Sequence, residues 1–222
     1  MTDIYTTRQN KQEYLICAAC FENVFDILAK KTLFCSFITF LWNKNMQEIE
    51  IKIIDIKRPE LLKKLTELGA EKHFDGELYA TFWDTDDSFM RHEKQSLRLR
   101  KEGNVTRLTF KTPTTMPHER VKIMKELEVT VSDYETMEQM LFYLNYCRTR
   151  IVRKTREEYV LEGVKIMFDQ YLDELCYIPL FMEIEAPDIE SLHKVVALLG
   201  YGERDCLNWS MYELMDHFRY NR

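Results

Sequence analysis

From residue 46 onward the chain alternates polar and apolar positions in short runs. "MQEIEIKI" (46–53) sets Glu48, Glu50 and Lys52 between Ile49, Ile51 and Ile53. Successive side chains of a strand point to opposite faces, so this stretch predicts a strand charged on one face and apolar on the other. Strand patterns recur in "GELYATFWD" (76–84), "SLRLRK" (96–101), "TRLTFKT" (106–112), "ELEVTV" (126–131), "RIVRKTREEYVL" (150–161), "VKIMFD" (164–169) and "LFMEIEA" (180–186). Gly103 with Asn104, and Glu162 with Gly163, mark two hairpin turns. Between the strands the period changes to that of helices. "RPELLKKLTELG" has Pro59 in its first turn, a stripe of Leu61, Leu62, Leu65 and Leu68, and Gly69 as its stop. A second helix follows Val131, with Ser132 and Glu135 at capping-box spacing, and "DIESLHKVVALLG" is closed by Gly200. A last helix starts near Ser210 with Glu213 three residues on, and "TDDSFMRHEKQ" (85–95) reads as a polar loop.

Glu-apolar-Glu occurs at 48/50, 126/128 and 183/185, each time in a strand that feeds a helix, which suggests an internal repeat. Taken together, the charged parity of the strands comprises Glu48, Glu50, Lys52, Arg98, Arg100, Lys111, Glu126, Glu128, Lys154, Arg156, Asp169, Glu183 and Glu185. A lone Glu-x-Glu strand is ordinarily a wetted outer face. Here the other parity is mostly Ile, Leu, Val or Phe, a surface that amphipathic helices can cover, and the charges then face one another. Seven acids against six bases are too many ions to bury dry, at several kcal/mol each. Such an interior is wet and binds something. Two divalent cations among the carboxylates would take its charge from −1 to roughly +3, a match for a triphosphate. Arginine forks and lysines suit phosphate oxygens, and clustered Glu and Asp are hard ligands for Mg2+ or Mn2+.

Composition narrows the setting. With 222 residues the chain is expected to hold one substantial domain, and its net charge of −6 argues against nucleic acid or an anionic membrane as partner. Any anion site is therefore local, and the expected partner is a small molecule bound by a monomer or homodimer. The six cysteines are scattered and no secretory signal opens the chain, so a cytoplasmic protein with reduced thiols is expected. Residues 1–45 read as an N-terminal extension to a domain at 46–222, and Met46, just ahead of the charged strand, offers itself as an alternative start. The extension holds a lone CxxC (Cys17, Cys20), short of the four ligands of a structural zinc site, and "LFCSFITFLW" (33–42), too short to span a bilayer at about 20 residues per helix. The five histidines share no metal-ligand spacing, and neither a Ser-His-Asp set nor a phosphate-binding glycine loop is present. Tyr79 and Asp84 on the second strand are candidates for positioning substrate, and Trp209, Tyr212, Leu214 and Met215 for closing one mouth of a tunnel.

The series "EIEIK", "SLRLR", "LTFK", "ELEV", "RKTR", "MFD" and "FMEIEA", in that order over about residues 46 to 216, resembles the CYTH superfamily of triphosphate tunnel metalloenzymes. The resemblance implies an α+β fold, an eight-stranded antiparallel β-barrel with helices outside, that binds a triphosphate and Mg2+ or Mn2+ in its interior. It implies metal binding by Glu48, Glu50, Asp169, Glu183 and Glu185, and phosphate binding by Arg98, Arg100, Lys111, Lys154 and Arg156. Lys52 completes the opening motif, and Glu126 and Glu128 orient basic groups or water; these three are the expected catalytic residues. The implied activity is hydrolysis of inorganic triphosphate, thiamine triphosphate or a nucleoside triphosphate. The alternatives are a class IV adenylyl cyclase and a non-catalytic polyphosphate- or nucleotide-binding module. "FDQYLDELCYIPLFMEIEAP" follows the cyclase-like subgroup, yet the His-Phe pair typical of the cyclase branch is replaced before the opening motif by "WNKNMQ".

Overall fold

The computed structural model describes residues 47–114 and 120–220. Eight strands, β1 (Gln47–Ile53), β2 (Glu71–Asp84), β3 (Ser96–Glu102), β4 (Val105–Pro113), β5 (Lys122–Val131), β6 (Cys147–Leu161), β7 (Val164–Tyr171) and β8 (Phe181–Ala186), close in the order β1-β5-β4-β3-β2-β6-β7-β8. Every neighbouring pair is antiparallel, so the α+β, eight-stranded antiparallel barrel is the fold observed. Where β1 outruns β5, the seam is patched by Leu207, whose N–H donates to Lys52 O (2.9 Å) and whose carbonyl accepts from Lys52 N (2.8 Å).

Helices α1 (Arg58–Glu67), α2 (Phe89–His92), α3 (Tyr134–Tyr143), α4 (Ile189–Leu198) and α5 (Met211–Tyr220) complete the fold. The apolar parity of β1 explains where two of them sit: Ile49, Ile51 and Ile53 share a core cluster with Leu61 and Leu65 of α1 and Leu192, Val195 and Val196 of α4. Burying that side outside the barrel turns Glu48, Glu50 and Lys52 inward. Asp188 caps α4 by accepting from Ser191 N (2.8 Å), and Ser210 and Glu213 form the expected reciprocal pair at the start of α5.

Two local expectations are corrected. The cap of α3 is Asp133, which accepts from Thr136 N at 2.7 Å, and not Ser132; Glu135 instead binds Lys101 at 2.8 Å. The polar stretch 85–95 contains the single turn α2, held by the buried Asp84, whose carboxylate accepts N–H donors from Thr85 and Met90 (2.8 Å each) and Arg91 (3.0 Å). A turn fixed by a tertiary carboxylate leaves no helical period to read. Asp84 is thus a structural cap.

The two ends of the barrel differ. At the end where β7 finishes and β8 begins, Tyr171 and Phe181 pack with Val152 and with Leu214 and Met215 of α5, an apolar plug. At the other end the inner-face side chains reach solvent, Lys165 at 45% and Arg107 at 36% exposure against 1% for Phe181. Among the described residues no helix is long and apolar enough to cross a membrane. The expected extension at 1–45, with its CxxC and apolar run, lies outside the described residues.

Candidate active site

Directly paired residues of an antiparallel ladder share a face, so the register assigns the lumen. Lys52 pairs with Glu183 and Glu50 with Glu185 across β1–β8, and Arg156 with Asp169 across β6–β7. Lys111 pairs with Glu126 and Thr109 with Glu128 across β4–β5, and Arg98 with Thr109 across β3–β4. All thirteen charged positions read from the sequence lie on the inner wall. The same face also carries Glu102, Glu158, Arg107, Lys122, Arg150 and Lys165. Among these six, four bases stand against two acids, and Glu71 adds a third acid at the open rim, which takes the inner charge from −1 to 0.

Three ion-pair groups line the wall. In the first, Lys52 Nζ lies between Glu50 (3.1 Å) and Glu183 (3.0 Å), and Lys122 reaches Glu50 at 2.6 Å. In the second, Arg156 grips Asp169 with two parallel bonds of 2.7 and 2.6 Å and touches Glu183 at 3.3 Å, while Lys154 contacts Asp169 from its other side. In the third, Lys111 contacts Glu48 and reaches Glu126 at 2.9 Å. Nearer the open end, Glu128 accepts from Thr109 Oγ1 and Arg107 at 2.9 Å each, and Lys165 binds Glu185 at 2.8 Å. Arg98 makes no ion pair among the described residues. The Nε atoms of Arg98 and Arg100 are both buried without an acceptor.

At each of these groups burial competes with the charges around it. Burial alone would raise Glu183 and lower Lys52; their mutual attraction, with help from Lys154 and Arg156 on Glu183 and from Glu50 on Lys52, holds the first well below and the second above its ordinary value. Glu48 behaves otherwise: burial and the adjacent Glu50 push it up to about 8 against the pull of Lys111. Burial and Arg98 bring Arg100 down to about 10, and burial and Arg156 bring Lys154 down to about 8. In both bases burial and a neighbouring cation outweigh the carboxylate that each one holds, Glu102 for Arg100 and Asp169 for Lys154.

Whether the wall suits a divalent cation turns on its donors. Among the described residues no three acidic, histidine or cysteine side chains converge on one point, because each carboxylate is drawn to a lysine or arginine. The donor type nonetheless fits: hard carboxylate oxygens, with Glu48 kept partly protonated by crowding that a cation would relieve. A cation arriving with a phosphate chain would exchange partners, taking the carboxylates and freeing their bases for phosphate oxygens.

A closed barrel with its polar chemistry on the inner wall, plugged at one end and bearing two arginines whose buried Nε–H groups have no acceptor, defines a tunnel protein. The chain belongs to the CYTH domain family, whose family model matches residues 46–205. Over 156 residues it is 32% identical to a Methanocaldococcus jannaschii protein described as a candidate adenylate cyclase, covering 68% of this chain and 84% of that one. The solved structure of a candidate adenylate cyclase from Vibrio parahaemolyticus matches with a TM-score of 0.65 at 17% identity, covering 77% of this chain and 98% of its own. One from Hippeastrum, described as a candidate adenylyl cyclase with a dominant triphosphatase activity, matches at 0.53 and 13%, covering 80% and 96%. At these identities the two structures attest the fold alone.

Proposed function

We propose that the domain at 46–222 is a divalent-metal-dependent phosphohydrolase acting on a triphosphate-containing substrate drawn into the tunnel. The observation that carries this reading is the pair of buried Nε–H donors on Arg98 and Arg100 that no acceptor satisfies. An unmet donor on a buried charged group costs on the order of 1–3 kcal/mol or more, and phosphate oxygens remove that cost. Lys111, Lys154 and Arg156 line the same wall and complete the clamp.

Glu48, Glu50, Asp169, Glu183 and Glu185 would hold Mg2+ or Mn2+, which when bound supplies positive charge on the phosphoryl oxygens and a site for water. Lys52 stays protonated between Glu50 and Glu183, so it positions those carboxylates and does not move a proton. Glu126 aims Lys111, and Glu128 aims Arg107 with Thr109. With the phosphate chain fixed, water attacks the terminal phosphorus in line as its bond to the bridging oxygen breaks. The diphosphate leaves, the proton of the water passes to the released orthophosphate or to solvent, and the surrounding arginines and lysines neutralise charge that spreads over the phosphoryl oxygens.

A cyclase is the second reading, favoured by the description of the Methanocaldococcus protein. Against it stands "WNKNMQ" where the cyclase branch carries His-Phe. Product analysis with ATP and Mg2+ or Mn2+ separates the two: orthophosphate is expected, released only with the cation, whereas pyrophosphate with cyclic AMP would establish the cyclase and unaltered substrate a binding module.

A further inference from the structure

Many apolar side chains of the barrel wall have an evident role in one of the three clusters that hold the fold together, although Leu127, Val129 and Ile151 stay exposed on its outer face. One aromatic ring on the inner wall has no such role. On β2, Phe74 keeps the parity of Gly76, Leu78 and Ala80 and faces the lumen opposite Glu158, while a register shift between Lys72 and Phe74 leaves Lys72 outside, paired with Glu157 at 3.2 Å. Phe74 is half-buried and belongs to none of the apolar clusters. Its ring lies over Gly76, the inner-face neighbour on the same strand: a Cβ on Gly76 would come within 3.2 Å of the ring's Cζ. A side chain there would press the ring aside by a few tenths of an ångström. Gly76 in turn pairs with Arg156, so the ring stands one strand step, about 7 Å, from the phosphate clamp toward the open end. Met167 lies in the same row, paired with Glu158, and it too belongs to none of the clusters.

We propose that Phe74, laid across Gly76 between Arg156 and the open mouth, is the platform on which the flat ring of an organic triphosphate stacks, making it a specificity-determining residue for ring-bearing substrates. The proposal rests on the triphosphate reading above and adds what sits beyond the phosphates. An inorganic phosphate chain needs no aromatic face. A nucleobase or the ring of thiamine does, and stacking tolerates any π-face. The charged lumen gives the phosphates their place, and the ring fixes how far the chain can enter.

The test compares wild type with Phe74→Ala, Phe74→Leu and Phe74→Trp, in direct binding and in turnover, using inorganic triphosphate, ATP and thiamine triphosphate with Mg2+. Phe74→Ala and Phe74→Leu are expected to weaken binding of a ring-bearing triphosphate by about five- to hundredfold, with inorganic triphosphate changed less than twofold and Phe74→Trp close to wild type. The ratio between ATP and thiamine triphosphate identifies the ring. Equal losses for all three ligands would overturn the proposal, because a ring that only covered the Gly76 backbone would act on the fold and not on the choice of ligand. Unchanged affinity for both organic ligands would overturn it as well. Binding that discriminates as expected without turnover would keep the platform and remove the hydrolase reading; wild type that binds none of the three would remove both.

Discussion

Lys52→Met should cost the ligand-free barrel about 3–5 kcal/mol, the toll of breaking a buried ion pair from one side. Lys52 is 5% exposed and sits between Glu50 and Glu183, and Glu183 is left with Arg156 alone at 3.3 Å. Both carboxylates owe their depressed pKa values in part to Lys52, with burial pulling the other way, so its removal turns each from a satisfied anion into a penalised one. For a domain of this size the melting temperature should fall by roughly 10 °C. Glu183→Gln in the same background should recover part of the loss by removing the stranded charge. Thermal melts of wild type, Lys52→Met and the double variant measure this. A drop below about 1 kcal/mol would mean that water already solvates the group and that the lysine does not hold these carboxylates.

The second large effect has opposite signs in the two states. Arg98→Met should leave the ligand-free fold as stable as wild type or more so, since it removes a half-buried guanidinium that has no ion-pair partner among the described residues and a buried, unmet Nε–H. Arg100→Met is expected to gain less, because Arg100 has Glu102 at 3.1 Å. Each should weaken triphosphate binding by about 1.5–3 kcal/mol, roughly ten- to more than a hundredfold. Arg98→Lys should recover only part, lacking the fork that two phosphate oxygens fill. Paired melting and calorimetric titration check both halves; a destabilised Arg98→Met with unchanged affinity would make the arginine a structural group.

Much of this was legible in the sequence because one physical rule, the period-2 alternation of strands, fixes both the barrel and its lining. Ile49, Ile51 and Ile53 had to meet helices, so Glu48, Glu50 and Lys52 had to face inward, and the register agrees. Lys122, Arg107, Glu158 and Lys165 obey the same parity. Lys122 lies four residues ahead of Glu126, where the alternation becomes plain, and the others stand outside any Glu-x-Glu or Arg-x-Arg pair. Asp84 and Phe74 were not legible as what they are. Asp84 looks like a lumen carboxylate until the N–H groups it accepts, up to seven residues away, are seen. Phe74 has the parity of Gly76 and Leu78 but stands ahead of Gly76, the first residue that the alternation marks as strand, so the pattern does not show that the ladder reaches it. The pairing of carboxylates with bases was also hidden, for alternation gives a face and not a partner.

The most direct test of a lumen built for a phosphate chain is a crystal structure with inorganic triphosphate and Mn2+, read by manganese anomalous scattering. The phosphate chain is predicted inside the barrel, with Arg98 and Arg100 donating to its oxygens and Lys111, Lys154 and Arg156 within hydrogen-bonding reach, and the anomalous peak beside carboxylates drawn from Glu48, Glu50, Asp169, Glu183 and Glu185. Triphosphate bound only on the outer surface, with the inner ion pairs unchanged and Arg98 still without an acceptor, would contradict the account.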